Sequence, residues 1–151
     1  MTIKAVVFDA YGIIYLAVTN LARDIISIGI SIIVPAATEE ALEAFLAEIS
    51  DEKFMSAGIT DEGKFFRTTG SEIREHDAHF LDNLRLFLKK TTVIRPAMHD
   101  EELDTFTLKD AIDATVYDAM QLSIANKIPW FCMDEVFGAL HNTKGHPLVN
   151  T

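Results

Sequence analysis

The chain has 151 residues, of which 49% are hydrophobic and 24% are charged, and its formal net charge is −10. This length suits one domain with its own core, and this composition excludes an intrinsically disordered chain. The acidic charge argues against a protein that coats nucleic acid without preference for sequence, because its surface repels the phosphate backbone. An enzyme that cuts nucleic acid is not excluded, since carboxylates that bind metal add to the negative charge.

The cysteine content and the first residues indicate the compartment. Cys132 is the single cysteine, so it forms no internal disulfide, and its apolar neighbours predict a core residue in a reducing compartment. The first residues lack a signal-peptide pattern, and Asn20, Arg23 and Asp24 interrupt the apolar stretch around them. We therefore expect a cytoplasmic protein without a membrane segment. Residues 1–151 are expected to form a single domain, either alone or within a longer protein.

The first part of the chain alternates between apolar runs and helical periodicity. A run rich in β-branched residues at 3–8 predicts a buried strand, and residues 11–28 have the periodicity of a helix. A second apolar run at 31–34 predicts another strand, and Thr38 can cap a helix at 39–49. Two strands, each followed by a helix, are therefore predicted here.

The rest of the chain is irregular at first and then resumes this alternation. Three glycines punctuate residues 50–70, which predicts loops around a short helix. The further predicted elements are a charged helix at 71–90, a strand at 91–96, a helix from an N-cap signature at 107–110 to Lys127, a strand at 128–133 and a helix near 134–142.

This alternation predicts the α/β class, as a three-layer α/β/α domain with a four- or five-stranded, mostly parallel sheet. In such sheets, ligands bind beyond the carboxyl ends of the strands. Asp9 follows the first predicted strand and Asp134 follows the fourth. Glu39 and Glu40 open the helix after the second strand, and Asp118 lies on the helix before the fourth. At least three acids should therefore gather at one edge of the sheet.

Such a cluster of acids has a chemical consequence. Crowded carboxylates repel one another unless a cation neutralises them, and oxygen ligands suit Mg²⁺ or Mn²⁺. These ions lower the pKa of bound water and clamp the oxygens of a phosphoryl displacement. The pattern therefore favours metal-assisted hydrolysis of phosphodiester bonds. The plainer alternative is that acids at strand ends cap helices and lie in water.

Three stretches resemble the PIN domain family, whose members are small nucleases that include the toxins of many bacterial toxin–antitoxin pairs. VVFDAYGIIYLA resembles the family's first strand with its acid and apolar helix, and IIVPAATEEALEAFL resembles the second strand with an acid on the next helix. In YDAMQLSIANKIPWFCMDEVF, an acid opens a helix and a second acid ends the strand that follows. The resemblance covers the outline of the whole chain and implies a divalent-metal-dependent nuclease, with RNA the more usual substrate than DNA.

The resemblance also implies which side chains form the site. Glu40 competes with Glu39 for the second position, because neighbouring helix positions point about 100° apart. Asp118 competes in the same way with Asp113, five residues earlier; its separation from the last acid, 134 − 118 = 16, fits the family pattern. The acids that the resemblance implies as catalytic residues and as ligands of Mg²⁺ or Mn²⁺ are Asp9, Glu40, Asp118 and Asp134.

Two features depart from the family pattern. Ala10 and Tyr11 follow the first acid, where Thr, Ser or Asn is usual, and Cys132 and Met133 precede the last acid, where Thr or Ser is frequent. Polar groups at such positions normally orient metal ligands. An alternative is therefore a catalytically degenerate PIN-like domain that acts as a protein-interaction module. The implied partners are an RNA substrate, a basic antitoxin-like protein that suits the acidic surface, or further copies of the chain.

The segment VVFDAYG also resembles the first motif of haloacid-dehalogenase-like hydrolases, in which Asp9 would be a nucleophile. The later motifs of that family do not follow. No hydroxyl residue ends the strand at 31–34, and Lys89 and Lys90 lie at a helix end, where cations suit the helix dipole. This hydrolase is therefore the second alternative.

Overall fold

A computed structural model describes residues 2–95, 109–143, 145 and 148–149. The strands of this part of the chain are β1 (Ala5–Phe8), β2 (Ser31–Pro35), β3 (Met55–Ile59), β4 (Phe65–Thr69), β5 (Thr91–Ile94), β6 (Trp130–Phe131) and β7 (Leu148–Val149). The helices are α1 (Ala10–Val18), α2 (Leu21–Ser27), α3 (Ala36–Ser50), α4 (Gly70–His76), α5 (Ala78–Lys90), α6 (Ala114–Asn126) and α7 (Glu135–Thr143). Within these ranges, no helix combines the length and apolar character needed to cross a bilayer.

Five strands form a parallel sheet in the order β5-β2-β1-β6-β7. Val7 at the centre of the sheet pairs with Ile33 on one side and with Trp130 on the other. The chain leaves β1 toward β2 and later returns to place β6 on the opposite side of β1. The predicted α/β/α fold is therefore confirmed, and the order of strands reverses at the carboxyl ends of β1 and β6, where such sheets bind ligands.

Alternation along the central strands divides the core between the two faces of the sheet. Phe8 and Val34 point to one face, where they pack against α1, α3 and α5, whereas Val7 and Ile33 point to the other, against α6. Both faces of the sheet are thus covered, which explains why its central strands read as continuous apolar runs. Cys132 is buried as predicted and is a free cysteine.

The single helix predicted at 11–28 is wrong, because the chain forms two helices there. Asn20 adopts a left-handed conformation with a φ of 63°, which ends α1 before α2 begins. The buried side chain of Asn83 holds this break, because its amide group donates to the carbonyl oxygen of Ala17 and to Oδ1 of Asn20, each at 3.1 Å. Periodicity along one segment cannot show a contact made by a distant residue.

Helix boundaries also differ from the predictions at three places. Thr38 does not cap α3: the helix begins at Ala36, and Thr38 is buried within its first turn. The helix predicted at 71–90 is divided at Asp77 into α4 and α5. The helix predicted from an N-cap signature at 107–110 begins instead at Ala114; residues 107–108 of that signature lie outside the described residues.

The segment predicted as loops around a helix is an antiparallel hairpin of β3 and β4, so that prediction is wrong. Its glycines serve the hairpin. Gly63 has a φ of 76° in the turn, and Gly58 lies under the ring of Phe66, which a Cβ atom would meet at 2.7 Å. Met55, Ile59 and Phe65 alternate onto one exposed face. Because this face is exposed, the segment lacks the alternation of buried and exposed residues by which a strand is normally recognised.

Candidate active site

A cleft of about 450 Å³ lies at the carboxyl ends of β1 and β6, where the strand order reverses. Three carboxylates from three separate parts of the chain face it, each at a position where a strand or loop gives way to a helix. Most of the remaining wall is apolar. The lining residues are Asp9, Tyr11, Ala111, Ile112, Asp113, Val116, Cys132, Met133, Asp134 and Phe137.

Asp9 forms the buried end of the cleft and is only 2% exposed. Its Oδ1 accepts the backbone N–H of Gly12 at 2.8 Å, and its Oδ2 accepts the indole N–H of Trp130 at 3.1 Å. Burial raises the pKa of the Asp9 carboxyl above its usual value, and the charge of Asp113 adds to this, while the hydrogen bonds oppose it. Two donors therefore hold both oxygens of the Asp9 carboxylate in place and oppose the effect of burial on its pKa.

Asp113 lies at the start of α6, beside Asp9. Thr115 donates its backbone N–H at 2.8 Å and its hydroxyl at 2.6 Å to Oδ1 of Asp113. The hydroxyl oxygen of Thr115 accepts the backbone N–H of Ala10 at 3.4 Å. The same side chain thus connects the first residue of α1 to the N-cap of α6, which keeps Asp113 and Asp9 at one end of the cleft. Both of these bonds from Thr115 go to Oδ1 of Asp113 and not to its Oδ2.

Asp134 also lines the cleft and directly precedes the first residue of α7. Its Oδ1 accepts the backbone N–H groups of Val136 and Phe137 at 2.8 and 3.1 Å. Each of the three acids therefore binds the first turn of a helix, and three helix N-termini point toward the cleft. Each cap bond orients one of these side chains.

The structure brings together two of the four predicted ligands and leaves two apart. Asp9 and Asp134 line the cleft, whereas Glu40 is exposed on α3 and Asp118 is half-buried in the second turn of α6, and neither lines the cleft. Asp113, the alternative to Asp118, does line it. Five helical positions rotate a side chain by about 140°, so the two point in different directions. The roles assigned to Glu40 and Asp118 stay predictions.

Two further residues at the site carry weak signals in the sequence. Thr115 stands two residues after Asp113, a spacing typical of a capped helix start that would have distinguished Asp113 from Asp118. Trp130 is fully buried, and its hydrogen bond to Asp9 joins residues 121 positions apart. Only the pairing of β1 with β6 brings those two side chains together.

Residues of α6 and α7 form a further set of contacts that fixes the position of the Trp130 side chain. The ring of His141 on α7 meets the indole edge-on, with ring centroids 5.3 Å apart. Nε2 of His141 is 3.0 Å from Oγ of Ser123, which donates to the carbonyl oxygen of Ile128. This set of contacts ties α6, α7 and β6 together. The indole N–H is therefore held rigidly toward Asp9.

Cys132 lies in the cleft wall but is a poor nucleophile. Burial, together with the charges of Asp9 and Asp134, raises the pKa of its thiol to about 11, against the hydrogen bond that Sγ donates to the carbonyl oxygen of Asp134. We expect the folded protein at pH 8 to react with iodoacetamide at least about tenfold more slowly than the urea-unfolded chain, followed by mass spectrometry. Equal rates would show that the thiol is accessible.

The acids match the oxygen donors that a hard cation prefers. In the part of the chain that the structure describes, no three His, Cys, Asp or Glu side chains lie close enough to hold one ion between them. Mg²⁺, however, commonly takes one or two carboxylates and completes its shell with water and substrate phosphates. The donor set of the cleft therefore fits an ion shared with substrate, and not one enclosed by protein.

Comparison with known families agrees with this geometry. The sequence model of a family described as "PIN domain associated with the TPR-GreAB-C-PIN system" matches residues 7–143. The chain belongs to the PIN domain family. Comparison with curated proteins finds no match. The matched region includes the end of β1, α6 and β6 with all three acids of the cleft, so the stretch that also resembles haloacid-dehalogenase-like hydrolases lies in a PIN domain.

Proposed function

We propose that this PIN domain is a divalent-metal-dependent ribonuclease that hydrolyses phosphodiester bonds. One observation carries the proposal: three carboxylates from distant parts of the sequence, Asp9, Asp113 and Asp134, face a single cleft at the strand switch point. Acids that face one cleft favour a cation there, and carboxylate oxygens are the ligands that Mg²⁺ and Mn²⁺ prefer. Membership of a family of nucleases supports the same reading.

In this proposal, the three acids of the cleft have different roles. Asp113 and Asp134 would hold Mg²⁺ or Mn²⁺ through the oxygens that their cap bonds leave accessible. Such an ion supplies a water of lowered pKa and a positive charge for the phosphate oxygens. Asp9, fixed by Gly12 and Trp130, lies deepest and is suited to accept a proton from that water.

A second candidate function has one specific observation in its favour. Both oxygens of Asp9 already accept hydrogen bonds from the protein, and the side chain is almost fully buried. Such an acid also suits a purely structural role, in which the domain is a catalytically degenerate interaction module. The family description links its PIN domain to a TPR-GreAB-C-PIN system, which supports a protein from such a system as the partner in place of an antitoxin.

Titration calorimetry with Mn²⁺ separates these two functions without a known substrate. The wild-type domain is expected to bind Mn²⁺, and Asp134→Asn is expected to weaken binding by about tenfold or more, because it removes one ligand charge. Asparagine keeps an oxygen for the N–H groups of Val136 and Phe137, so the start of α7 is preserved.

Glu135→Gln is the matched control, because it removes a neighbouring exposed charge outside the cleft. It should leave Mn²⁺ affinity within about twofold, as an exposed charge interacts weakly through water. If the wild type binds no Mn²⁺, with or without single-stranded RNA present, the nuclease proposal is wrong. Equal losses in the two variants would reduce the effect to general charge attraction.

A further inference from the structure

The wall of the cleft beside the acids is apolar and includes two aromatic rings. Tyr11 and Phe137 line it together with Ile112, Val116 and Met133. Hydrolysis of a phosphodiester requires only the polar groups of this cleft, so the apolar wall is not accounted for by that chemistry. Apolar cleft walls with a few fixed polar groups are typical of sites that hold a flat or apolar part of a ligand.

Tyr11 is the part of this wall that is open to solvent. It stands in the first turn of α1, two residues after Asp9, and its side chain is 55% exposed although its neighbour Gly12 is buried. Its backbone N–H also lies close enough to Asp9 to lower the pKa of that carboxyl. The backbone of Tyr11 is thus fixed beside the deepest acid while its ring stays available at the cleft.

The charge of the cleft selects among flat ligands. A phosphate group near three carboxylates is repelled unless a cation intervenes, but a nucleobase is neutral and meets no such penalty. Bases of single strands stack on aromatic side chains, and stacking tolerates any base because each has a π-face. The acids and the apolar wall together suit a nucleotide whose phosphate meets the ion while its base lies on the ring.

We propose that Tyr11 is the stacking residue for one nucleobase of a single-stranded RNA, next to the bond that is cut. The proposal rests on the nuclease function proposed above and adds to it the form of the substrate. It gives a role to the residue that departs from the family pattern after the first acid. A double-stranded substrate has no unstacked base to place there, so single strands are favoured.

The test is a thermodynamic cycle in which the ring of Tyr11 and one base of the RNA are removed separately and together. Eight-nucleotide RNA strands with a 5′ dye, intact or with one abasic position moved along the strand, are bound to the wild type and to Tyr11→Ala. Fluorescence anisotropy is read at once after mixing with Mn²⁺. Tyr11→Ala should weaken binding of the intact strand about tenfold to a hundredfold. One abasic position should weaken the wild type to the same degree and leave Tyr11→Ala unaffected.

Two variants serve as controls for the ring. Tyr11→Phe keeps the ring and should bind within about twofold of the wild type. Val18→Ala removes an equally exposed apolar side chain from the same helix outside the cleft and should have no effect. The base site is overturned if Tyr11→Ala binds as tightly as the wild type, if every abasic loss is equal in both proteins, or if no strand binds the wild type.

The same mixtures separate this proposal from the nuclease function. Cleavage of the intact strand is followed on a gel for several hours after the anisotropy reading. Cleavage without coupling between Tyr11 and any base would keep the nuclease and overturn the base site. Coupling without cleavage would keep the base site and reject the nuclease.

Discussion

RNA cleavage by Asp113→Asn is expected to be about 10²-fold slower than cleavage by the wild type, because the change removes one charged ligand of the ion that supplies the attacking water. Asp113 faces the cleft from the start of α6, and its charge acts on Asp9. Asparagine caps a helix about as well as aspartate, so the fold and the bonds from Thr115 should be retained. Initial rates on a single-stranded RNA in saturating Mn²⁺ measure the effect.

Asp118→Asn is the decisive comparison, because it makes the same chemical change five residues along the same helix. Its side chain does not line the cleft, so its cleavage rate should stay within about threefold of the wild type. The opposite result, with Asp118→Asn inactive and Asp113→Asn active, would restore the ligand assignment made from the sequence. Loss of cleavage in both variants with intact folds would mean that the site extends beyond the cleft.

Trp130→Ala should lower the free energy of unfolding by about 3–5 kcal/mol, the usual cost of deleting a large buried aromatic side chain. Trp130 is fully buried between the sheet and the ring of His141. The change also removes the donor to Oδ2 of Asp9, and a buried acceptor left unpaired costs about 1–3 kcal/mol. Urea denaturation followed by circular dichroism measures the loss, since the variant has no tryptophan fluorescence.

Trp130→Phe separates packing from hydrogen bonding at this position. Phenylalanine fills most of the space but has no N–H group, so its cost should be smaller and should come mainly from Asp9. An additional Asp9→Ala change removes the acceptor as well, and the loss caused by Trp130→Phe should then shrink. If the loss is unchanged in that background, the hydrogen bond contributes nothing measurable and Trp130 acts only through packing.

The predictions for Asp113 and for Trp130 test two different parts of the same site. Asp113 and Asp134 lie at the accessible part of the cleft, where each cap bond uses one oxygen. Asp9 lies behind them and depends on Trp130, which in turn depends on α7. A stability defect at Trp130 with normal Mn²⁺ affinity and normal RNA cleavage would give Asp9 a structural role, whereas the same defect with slowed cleavage would fit Asp9 as the proton acceptor. A joint loss would place it among the ligands.

The class of fold and the acids that end strands can be predicted from the amino-acid order alone. Apolar runs at β1, β2 and β6 are recognisable because both faces of a parallel sheet are buried, which leaves no polar alternation to obscure them. Asp9 and Asp134 follow two of those runs, and parallel strands bring their carboxyl ends to one edge. The position of an acid directly after an apolar run was therefore sufficient to predict two residues of the cleft.

Which helical acid joins them in the cleft depends on contacts between distant parts of the chain. Asp113 and Asp118 both fit a helix that precedes the last strand, and the choice depends on where α6 begins, which Thr115 and the backbone of Ala10 fix across 105 positions. The break at Asn20 likewise depends on a distant residue, Asn83, whereas the hairpin of β3 and β4 is hard to predict because its apolar side chains are exposed. Turns, caps and breaks depend on contacts between distant residues, whereas hydrophobic periodicity records only which face of a segment is buried.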